Sequence, residues 1–495
     1  MNYKFFMKNI ASLKIEEQRF YPDISRVILQ SFLPGNSENV RGICERILAL
    51  SNAEVVYKKV KSRYEQRHAD IETVFMQHYQ IAIEHAGIAD SEKIKAMSPN
   101  QKKLMGAYFS KEYSVEAAAL FNPSIVPSRD QTGVADGALR FILSLRAVGE
   151  GHISSIVFRS GISSADGTIE MDPISEHLKL PEINQNPEYD KHTFLLKLAE
   201  MNLNPAIYQA SLNSLNARFN YRDLENCIWY YGVSNPSTVH TTETDAIKWL
   251  ALSNYQASFS DQSEVSSRVL FPYSENENNG IEDARFVEFT DDGKVSYFAT
   301  YTAYNGVTVL PQLMMTRDFK SFRISTLNGD GVSNKGMALF PRKIGGKYFM
   351  IGRVDSENLF IMSSDNIHFW NKYEPLQTPG FAWDLIKIGN CGSPVETARG
   401  WLLMTHGVGA CRQYAIGAML LDLEDPSIVI AYLDEPIIES EGEDREGYVP
   451  NVVYTCGIMI HGETLIIPYA MSDRITGFVT VNIDDLLDRL VMQTK

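Results

Sequence analysis

The chain has 495 residues, enough for more than one core, and its 44% hydrophobic and 22% charged residues are ordinary for a globular protein. The net charge of −15, with no Lys- or Arg-rich run, argues against a nucleic-acid partner. Five scattered cysteines without a CxxC pair are typical of reduced thiols and argue against a disulfide framework.

The N-terminus gives no sign of export. Residues 1–9 lack the continuous apolar segment and the small-residue cleavage site of a signal peptide. No stretch of the sequence approaches the length of a membrane-spanning helix. We therefore expect a cytoplasmic protein with no membrane partner.

The first hundred or so residues differ in kind from the rest. Residues 40–50 and 53–85 place apolar side chains at helical spacing, with charged residues between them. Asn52 is placed to cap the second of these segments. We predict an N-terminal helical domain over residues 1–115, which is a candidate for subunit contact in a homo-oligomer.

From Phe121 onward the pattern is mainly that of β-strands. One interruption, at about residues 172–226, has helical passages such as 193–201 and is predicted to be an insertion. Residues 484–491 have the pattern of a short amphipathic helix. Residues 116–495 are therefore predicted to form a second, mainly β domain.

A short pattern recurs through this β region at a nearly constant interval. A loop, an apolar segment and a Gly-containing turn precede each run of β-forming residues. Aligned on Asp283, Phe340, Pro394 and Pro450, the steps are 57, 54 and 56 residues. A fifth copy starts at Phe121. The β-forming runs of the five copies are residues 140–145, 297–301, 348–352, 401–405 and 465–469.

This interval is typical of a β-propeller, in which each blade has about four short strands and buries its faces against its neighbours. Five copies predict a five-bladed propeller. Radial repetition would bring the equivalent loop of each blade to one central pocket.

The loops carry acids, cations and hydrogen-bonding groups. By itself, the acid–Arg segment 282–285 is compatible with a proton donor, a hydroxyl-binding group or a structural ion pair. Taken together, the loops would build a pocket suited to a polyhydroxylated substrate beside an anion. The loop residues are Asn122, Asp283, Lys335, Arg353, Lys387, His406, Tyr414 and Asp473.

Several segments resemble the motifs of glycoside hydrolase family 130. Residues 334–348 (NKGMALFPRKIGGKY) are similar to its NK-x-A-L-FP-x-K-I-x-GKY segment. Residues 280–285 (GIEDAR) resemble its G-x-EDPR loop, and residues 301–306 (YTAYNG) its YTAYDG. The resemblance extends from Phe121 to the C-terminus. Further similar segments are 383–389, 400–408 and 420–426.

The resemblance implies a five-bladed propeller that acts on β-mannosides. Members are mostly inverting phosphorylases, which use inorganic phosphate as co-substrate and need no cofactor, and some branches are hydrolases. The expected reaction is phosphorolysis of a β-mannoside to α-mannose 1-phosphate. The helical first domain resembles that of a longer-chain branch.

The resemblance also implies roles for single residues. Asp283 corresponds to the general acid, which in the phosphorylases passes its proton through a substrate hydroxyl. Four residues correspond to phosphate contacts and four to sugar contacts; no metal site is expected. The phosphate set is Arg353, Lys387, His406 and Tyr414. The sugar set is Asn122, Arg146, Lys335 and Asp473.

Two alternatives stay open. An inverting β-mannosidase of the same fold needs a second carboxylate to activate water, whereas a phosphorylase needs convergent cations. A non-catalytic carbohydrate-binding propeller predicts an eroded acid loop. The sequence departs from the family pattern at Ala284, where proline is usual, and at Asn305, where aspartate is usual.

Overall fold

The computed structural model describes residues 10–185, 187–201, 203–234, 242–307 and 309–492. The prediction about a signal peptide concerns residues 1–9, which lie outside these ranges. Among the helices of the described ranges, none has the length and apolar content that crossing a bilayer requires.

The N-terminal region is a helical layer with its own core. Capping side chains fix two helix starts: Asn36 accepts a hydrogen bond from Asn39 N, and Ser98 forms a capping box with Gln101. Two helices cross so closely at Gly106 that a Cβ atom there would lie 1.7 Å from the Phe75 carbonyl oxygen. The elements are β1 (Lys14–Phe20), β2 (Val27–Ser31), α1 (Ser37–Leu48), α2 (Ala53–Tyr64), α3 (Ile71–His85), α4 (Glu92–Lys95), α5 (Pro99–Tyr108) and β3 (Ser110–Ser114).

The first antiparallel unit follows directly. Its strands are β4 (Ala119–Pro127), β5 (Leu139–Val148), β6 (Ser154–Ser163) and β7 (Ile169–Met171).

The insertion packs around a second helical core, and its helices continue past residue 226 to Leu252. Its last strands return to the sheets of the β region. The elements are β8 (Glu182–Asn184), β9 (Tyr189–Asp190), α6 (Lys191–Glu200), α7 (Pro205–Leu212), β10 (Arg218–Phe219), α8 (Tyr221–Ser234), α9 (Thr242–Leu252), β11 (Tyr255–Ser258) and β12 (Val269–Leu270).

Four further antiparallel units complete the chain. The second is β13 (Gly280–Asp291), β14 (Lys294–Tyr304), β15 (Val309–Thr316) and β16 (Ser321–Thr326). The third is β17 (Ala338–Leu339), β18 (Tyr348–Gly352), β19 (Leu359–Ser364) and β20 (Lys372–Gln377). The fourth is β21 (Lys387–Asn390), β22 (Val395–Thr397), β23 (Gly400–Val408), β24 (Tyr414–Leu421), β25 (Val429–Tyr432) and β26 (Ile438–Glu439). The fifth is β27 (Val453–Tyr454), β28 (Met459–His461), β29 (Thr464–Met471) and β30 (Ile475–Asn482), followed by α10 (Ile483–Arg489) and β31 (Val491–Met492).

The five predicted β-forming runs are confirmed. They lie in β5, β14, β18, β23 and β29, and each of these strands pairs antiparallel with the strand that follows it. The prediction that residues 282–285 form a loop was wrong. They lie inside β13, where the register with β14 shifts between Glu282 and Arg285. A similar shift occurs in β4 between Phe121 and Ser124.

The apolar cores connect the five units in cyclic order. Phe158 and Phe286 share the core between the first and second units. Three further cores lie between the second and third units, the third and fourth units, and the fourth and fifth units. A fifth core lies between the fifth unit and the first. In the last of these, Leu143 of the first unit packs with Ile466 and Phe478 of the fifth. Each sheet therefore buries both faces against neighbours.

The two ends of the β region are also joined by hydrogen bonds. Strand β1, from the N-terminal region, pairs with β30 of the fifth unit. The Cys456 amide donates to the Pro123 carbonyl at 2.7 Å, and the Leu120 amide to the Arg474 carbonyl at 2.9 Å. The last unit is thereby held between the first unit and an N-terminal strand.

Candidate active site

The candidate acid lies on a backbone bulge. Asp283 has φ 56°, and its counterpart in the first unit, Asn122, has φ 48°. Asp and Asn tolerate this left-handed conformation better than other residues with a Cβ. The bulge turns both side chains to one place, where Asn122 Nδ2 donates to Asp283 Oδ1 at 2.5 Å.

A chain of ion pairs surrounds this carboxylate. Arg146, on β5, donates through Nη1 to Asp283 at 3.1 Å and through Nη2 to Glu282 at 2.7 Å. The other Glu282 oxygen lies 3.3 Å from Lys335 Nζ. Glu282 thus links the predicted sugar-binding residues Arg146 and Lys335. We define the acid cluster as Asn122, Arg146, Glu282, Asp283 and Lys335.

The cations set the ionisation of the acid. Burial alone would raise the pKa of Asp283, but the charges of Arg146, Arg285 and Lys335 and the hydrogen bond from Asn122 hold it below its ordinary value. Asp283 is therefore ionised at neutral pH when the pocket holds no anion.

A second cluster is cationic. Its members are Arg285, Arg353, Lys387 and His406. Arg285 and Arg353 both border Gly336, Arg353 and His406 both border Gly389, and Lys387 lies over the ring of Tyr414, which stacks on His406. Among the described residues, no carboxylate forms an ion pair with Arg285, Arg353 or Lys387. The Nε atoms of Arg285 and Arg353 are buried, and neither has a hydrogen-bond partner among the residues that the structure describes. We call these four residues the cation cluster.

Two glycines make room for the cation cluster. A Cβ atom at Gly336 would lie 3.4 Å from Arg353 Nε and 3.7 Å from Arg285 Nη2. One at Gly389 would lie 2.3 Å from His406 Cε1 and 3.0 Å from Arg353 Cδ. Any larger residue at Gly389 would displace the imidazole.

His406 is held in one tautomer. Its Nδ1 lies 3.1 Å from the Asn390 carbonyl oxygen, which can only accept, so Nδ1 carries the hydrogen. Burial and the charges of Arg353, Arg285 and Lys387 lower the pKa of His406 well below its usual value. The imidazole is therefore neutral, with Nε2 as a hydrogen-bond acceptor.

Aromatic side chains enclose the imidazole. Tyr414 stacks on His406 with ring centroids 5.8 Å apart, and Tyr454 lies at 4.7 Å. Lys387 Nζ lies 5.6 Å from the centre of the Tyr414 ring. Tyr414 is the fourth predicted phosphate contact and lies at the edge of the cation cluster.

Asp473 completes the acid side. It lies in the tight turn between β29 and β30 with φ 49°. Burial and the neighbouring Asp283 charge raise the pKa of Asp473 to about 7, although Arg146 and Arg412 oppose the shift. Asp473 is thus a second carboxyl group within electrostatic reach of Asp283, with an environment that favours its protonated form.

All nine predicted residues lie in or beside these two adjoining clusters. Asn122, Arg146, Asp283 and Lys335 belong to the acid cluster, and Asp473 lies beside it. Arg353, Lys387 and His406 belong to the cation cluster, and Tyr414 lies beside it. Within the described ranges, no group of three or more His, Cys, Asp or Glu side chains is placed to hold a metal ion.

Comparison with known proteins shows the family of this chain. Residues 254–492 match the family model Glyco_hydro_130, described as beta-1,4-mannooligosaccharide phosphorylase. The chain is 34% identical over 229 residues to a 1,2-beta-oligomannan phosphorylase of Thermoanaerobacter sp. (strain X514), covering 44% of this chain and 73% of that relative. It belongs to glycoside hydrolase family 130.

Other family 130 proteins are similar over comparable lengths. A beta-1,2-mannobiose phosphorylase of the same Thermoanaerobacter strain is 32% identical over 269 residues, covering 51% of this chain and 84% of the relative. The crystal structure of the Listeria innocua beta-1,2-mannobiose phosphorylase with beta-1,2-mannobiose superposes with a TM-score of 0.43 and 21% identity, covering 76% of this chain and 93% of the other.

Sequence reasoning missed four residues of this family 130 site. Glu282 and Arg285 lie in the segment that resembles the family's G-x-EDPR loop, but the resemblance implies a role only for Asp283. Tyr454 accepts a hydrogen bond from Arg285 Nη2 at 2.8 Å, and Arg412 acts on Asp473. No sequence signal marks Tyr454 or Arg412, because their importance depends on contacts between units.

Proposed function

We propose that the protein is an inverting β-mannoside phosphorylase with Asp283 as general acid. The observation that carries the proposal is the cation cluster, in which Arg285, Arg353 and Lys387 have no carboxylate partner in the described part of the chain. Arg285 is buried, and Arg353 and Lys387 are half-buried. Cations enclosed in this way without counter-ions are costly, and a bound phosphate would provide the missing charge.

The reaction is a displacement at the anomeric carbon of the mannosyl unit. Hydrogen phosphate forms a bond to C1 from the face opposite the leaving group, the C1–O bond to the leaving sugar breaks, and α-mannose 1-phosphate is produced. The leaving oxygen takes its proton from Asp283, through a substrate hydroxyl. In the net balance, the hydrogen of hydrogen phosphate ends on the released sugar.

The two clusters divide this work. Arg353 and Lys387 would bind the phosphate oxygens, and the neutral His406 would accept a hydrogen bond from the phosphate hydroxyl. Tyr414 would complete that site. The acid side would orient the mannosyl unit beside Asp283, since its groups suit sugar hydroxyls. The residues proposed for the sugar are Asn122, Arg146, Lys335 and Asp473.

Phosphate binding would also prepare the acid. The charge of Arg285 helps to hold the pKa of Asp283 below its ordinary value. An anion on the cation cluster would neutralise part of that charge, so the pKa of Asp283 would rise toward that of a proton donor. Proton transfer would thereby depend on the nucleophile being present.

The architecture that we propose is a five-bladed β-propeller over residues 116–495, with a helical domain over residues 1–115 that contributes β1 to the last blade. The cyclic order of the five apolar cores supports it. A cavity of about 310 Å³ is lined by all five units and fits a channel along the axis. Its lining includes Val126, Val287, Pro341, Pro394 and Met459.

A hydrolase is the second candidate, and Asp473 is the observation that favours it. This carboxyl group lies within electrostatic reach of Asp283, and an inverting hydrolase needs two carboxyl groups. The raised pKa of Asp473 weighs against a role as base below neutral pH. A hydrolase also has no need for the cation cluster.

Product analysis separates the two candidates. The protein is incubated with β-1,2- and β-1,4-mannobiose, each with and without inorganic phosphate, and α-mannose 1-phosphate and free mannose are measured. We expect cleavage only with phosphate, with one α-mannose 1-phosphate for each acceptor mannose released. Equal cleavage without phosphate would establish the hydrolase instead.

A further inference from the structure

A cavity of about 430 Å³ lies between the helical insertion and the β units. The insertion contributes Tyr189 and Phe194, the second unit contributes Phe298 and Met315, and residues of the third unit such as His368 close one side. None of its lining residues belongs to the acid cluster or the cation cluster. Its volume is in the range of small-molecule sites.

One side of this cavity is apolar, although the lining as a whole combines polar and apolar side chains. Phe298, Leu313, Met315, Ile324 and Ile367 lie on the side formed by the second and third units. A sugar placed against them would leave hydroxyl groups without hydrogen-bond partners, which is costly. This side of the cavity therefore suits an aromatic or aliphatic body.

Among the described residues, the charged side chains at the cavity have ion-pair or capping partners except for Arg323. Lys197 pairs with Glu200 at 3.0 Å, and Arg218 with Glu188 at 3.2 Å. The Asp190 carboxylate caps α6 through Thr193. Arg323 donates to the backbone carbonyl of Glu188 at 2.6 Å but, within the described ranges, forms no ion pair.

The wall also contains an unused hydrogen-bond acceptor. Asn328 is 1% exposed, and its Nδ2 donates to the carbonyl oxygens of His368 and Thr326, which fixes the orientation of the amide. Its Oδ1 is buried without a partner in the described part of the chain. A buried amide oxygen normally accepts at least one hydrogen bond.

We propose that this cavity binds a small organic anion with an apolar body, distinct from the substrates of the active site. The anionic group would pair with the exposed guanidinium of Arg323, which has no counter-ion among the described residues. The body would cover the half-buried side chains of Phe298, Met315 and Ile367. A hydrogen-bond donor on the ligand would meet the polar wall near Asn328.

Two probes with one skeleton test this chemistry. The first, 8-anilinonaphthalene-1-sulfonate, has an aromatic body, an N–H donor and a sulfonate, and N-phenyl-1-naphthylamine lacks only the sulfonate. Fluorescence titrations compare the wild-type protein with Arg323→Ala. Arg317→Ala is the matched control, because Arg317 is exposed on the β15–β16 turn and does not line the cavity. Saturating inorganic phosphate keeps the cation cluster occupied.

We expect saturable binding of the sulfonate probe to the wild type and to Arg317→Ala, and about tenfold weaker binding to Arg323→Ala, since a charge-assisted contact is lost. The neutral probe should bind all three proteins alike. Ser325→Trp, which places a large side chain in the cavity, should reduce binding of both probes while thermal unfolding shows an intact fold. Absence of saturable sulfonate binding, or equal binding to Arg323→Ala and Arg317→Ala, would overturn the proposal.

Discussion

At the residue scale, the function of Asp283 depends on its proton. Asp283→Asn keeps the size and the left-handed backbone but removes the acid, so turnover should fall by about 10²–10⁴-fold. Initial rates of phosphorolysis measure the effect. Asp292→Asn is the matched control, because Asp292 is exposed and has φ 48° in the turn between β13 and β14. Near-normal turnover of Asp283→Asn on a mannobiose would show that another group is the acid.

Arg353 should act on phosphate rather than on the sugar. Arg353→Ala removes a cation from the cation cluster and should raise the KM for phosphate by roughly 10–100-fold, because charge-assisted hydrogen bonds are lost. The KM for the mannoside should change much less. Steady-state kinetics with each substrate varied in turn gives both values. A larger effect on the mannoside than on phosphate would place Arg353 at the sugar instead.

Asp473 should make stability depend on pH. Its pKa is about 7 in the folded protein and near 3.8 in an unfolded chain, so the folded state holds the proton more tightly between these values. This stabilisation is complete below about pH 4 and is lost as the pH rises through about 7. Asp473→Asn cannot titrate. The Tm of the wild type should therefore fall relative to that of Asp473→Asn from pH 4 to pH 7; parallel Tm curves would contradict the assignment.

Residues of this site could be predicted from the sequence where a single local motif was sufficient to identify them. The resemblance marked Asp283, Arg353 and His406, and the structure brings these residues into adjoining clusters. It could not assign Tyr454 or Glu282. Tyr454 contacts Arg285 from a distance of 169 residues along the chain, and Glu282 matters through Arg146, which lies on another unit.

At the element scale, the pairing of β21 with β23 positions His406. Gly389 lies opposite His406 in this register. In Gly389→Ala, the new methyl group would meet the imidazole at 2.3 Å and displace it, so the KM for phosphate should rise with little change in Tm. Gly380→Ala is the control, since no atom lies within 4 Å of a Cβ built there. An unchanged KM for phosphate in Gly389→Ala would remove His406 from the phosphate site.

The strands were predictable because their apolar runs are local, but the bulges were not. Residues 282–285 contain two acids and an arginine, and such a charged segment favours the prediction of a loop. The structure places them in β13, since β14 on one side supplies hydrogen bonds and the register shift accommodates Asp283. A register shift depends on both strands, and so one strand alone cannot reveal it.

At the scale of the whole molecule, β1 joins the N-terminal region to the fifth unit. Phe20 is buried against Phe478, with ring centroids 5.8 Å apart. Phe20→Ala should lower the free energy of unfolding by about 3 kcal/mol. Tyr21→Ala is the matched control, because Tyr21 is 62% exposed, and it should cost almost nothing. Chemical denaturation measures both; equal stabilities would mean that β1 is not docked on β30 in solution.

The repeat interval predicted the five units but not how the chain ends meet. The pairing of β1 with β30 joins residues more than 450 positions apart, and no local pattern specifies it. The extent of the insertion was also hard to predict. Its helices continue to Leu252 because α8 and α9 share one core with α6 and α7, and this core is visible only in three dimensions.

In the proposed mechanism, the cation cluster selects phosphate over water as the nucleophile. The most direct measurement is cleavage of a β-mannobiose in ¹⁸O-labelled water with saturating unlabelled phosphate, followed by mass spectrometry and anomeric NMR of the products. We expect the transferred mannosyl unit to appear as α-mannose 1-phosphate without ¹⁸O at C1. Release of two free mannose molecules for each mannobiose cleaved, with no α-mannose 1-phosphate, would contradict this mechanism.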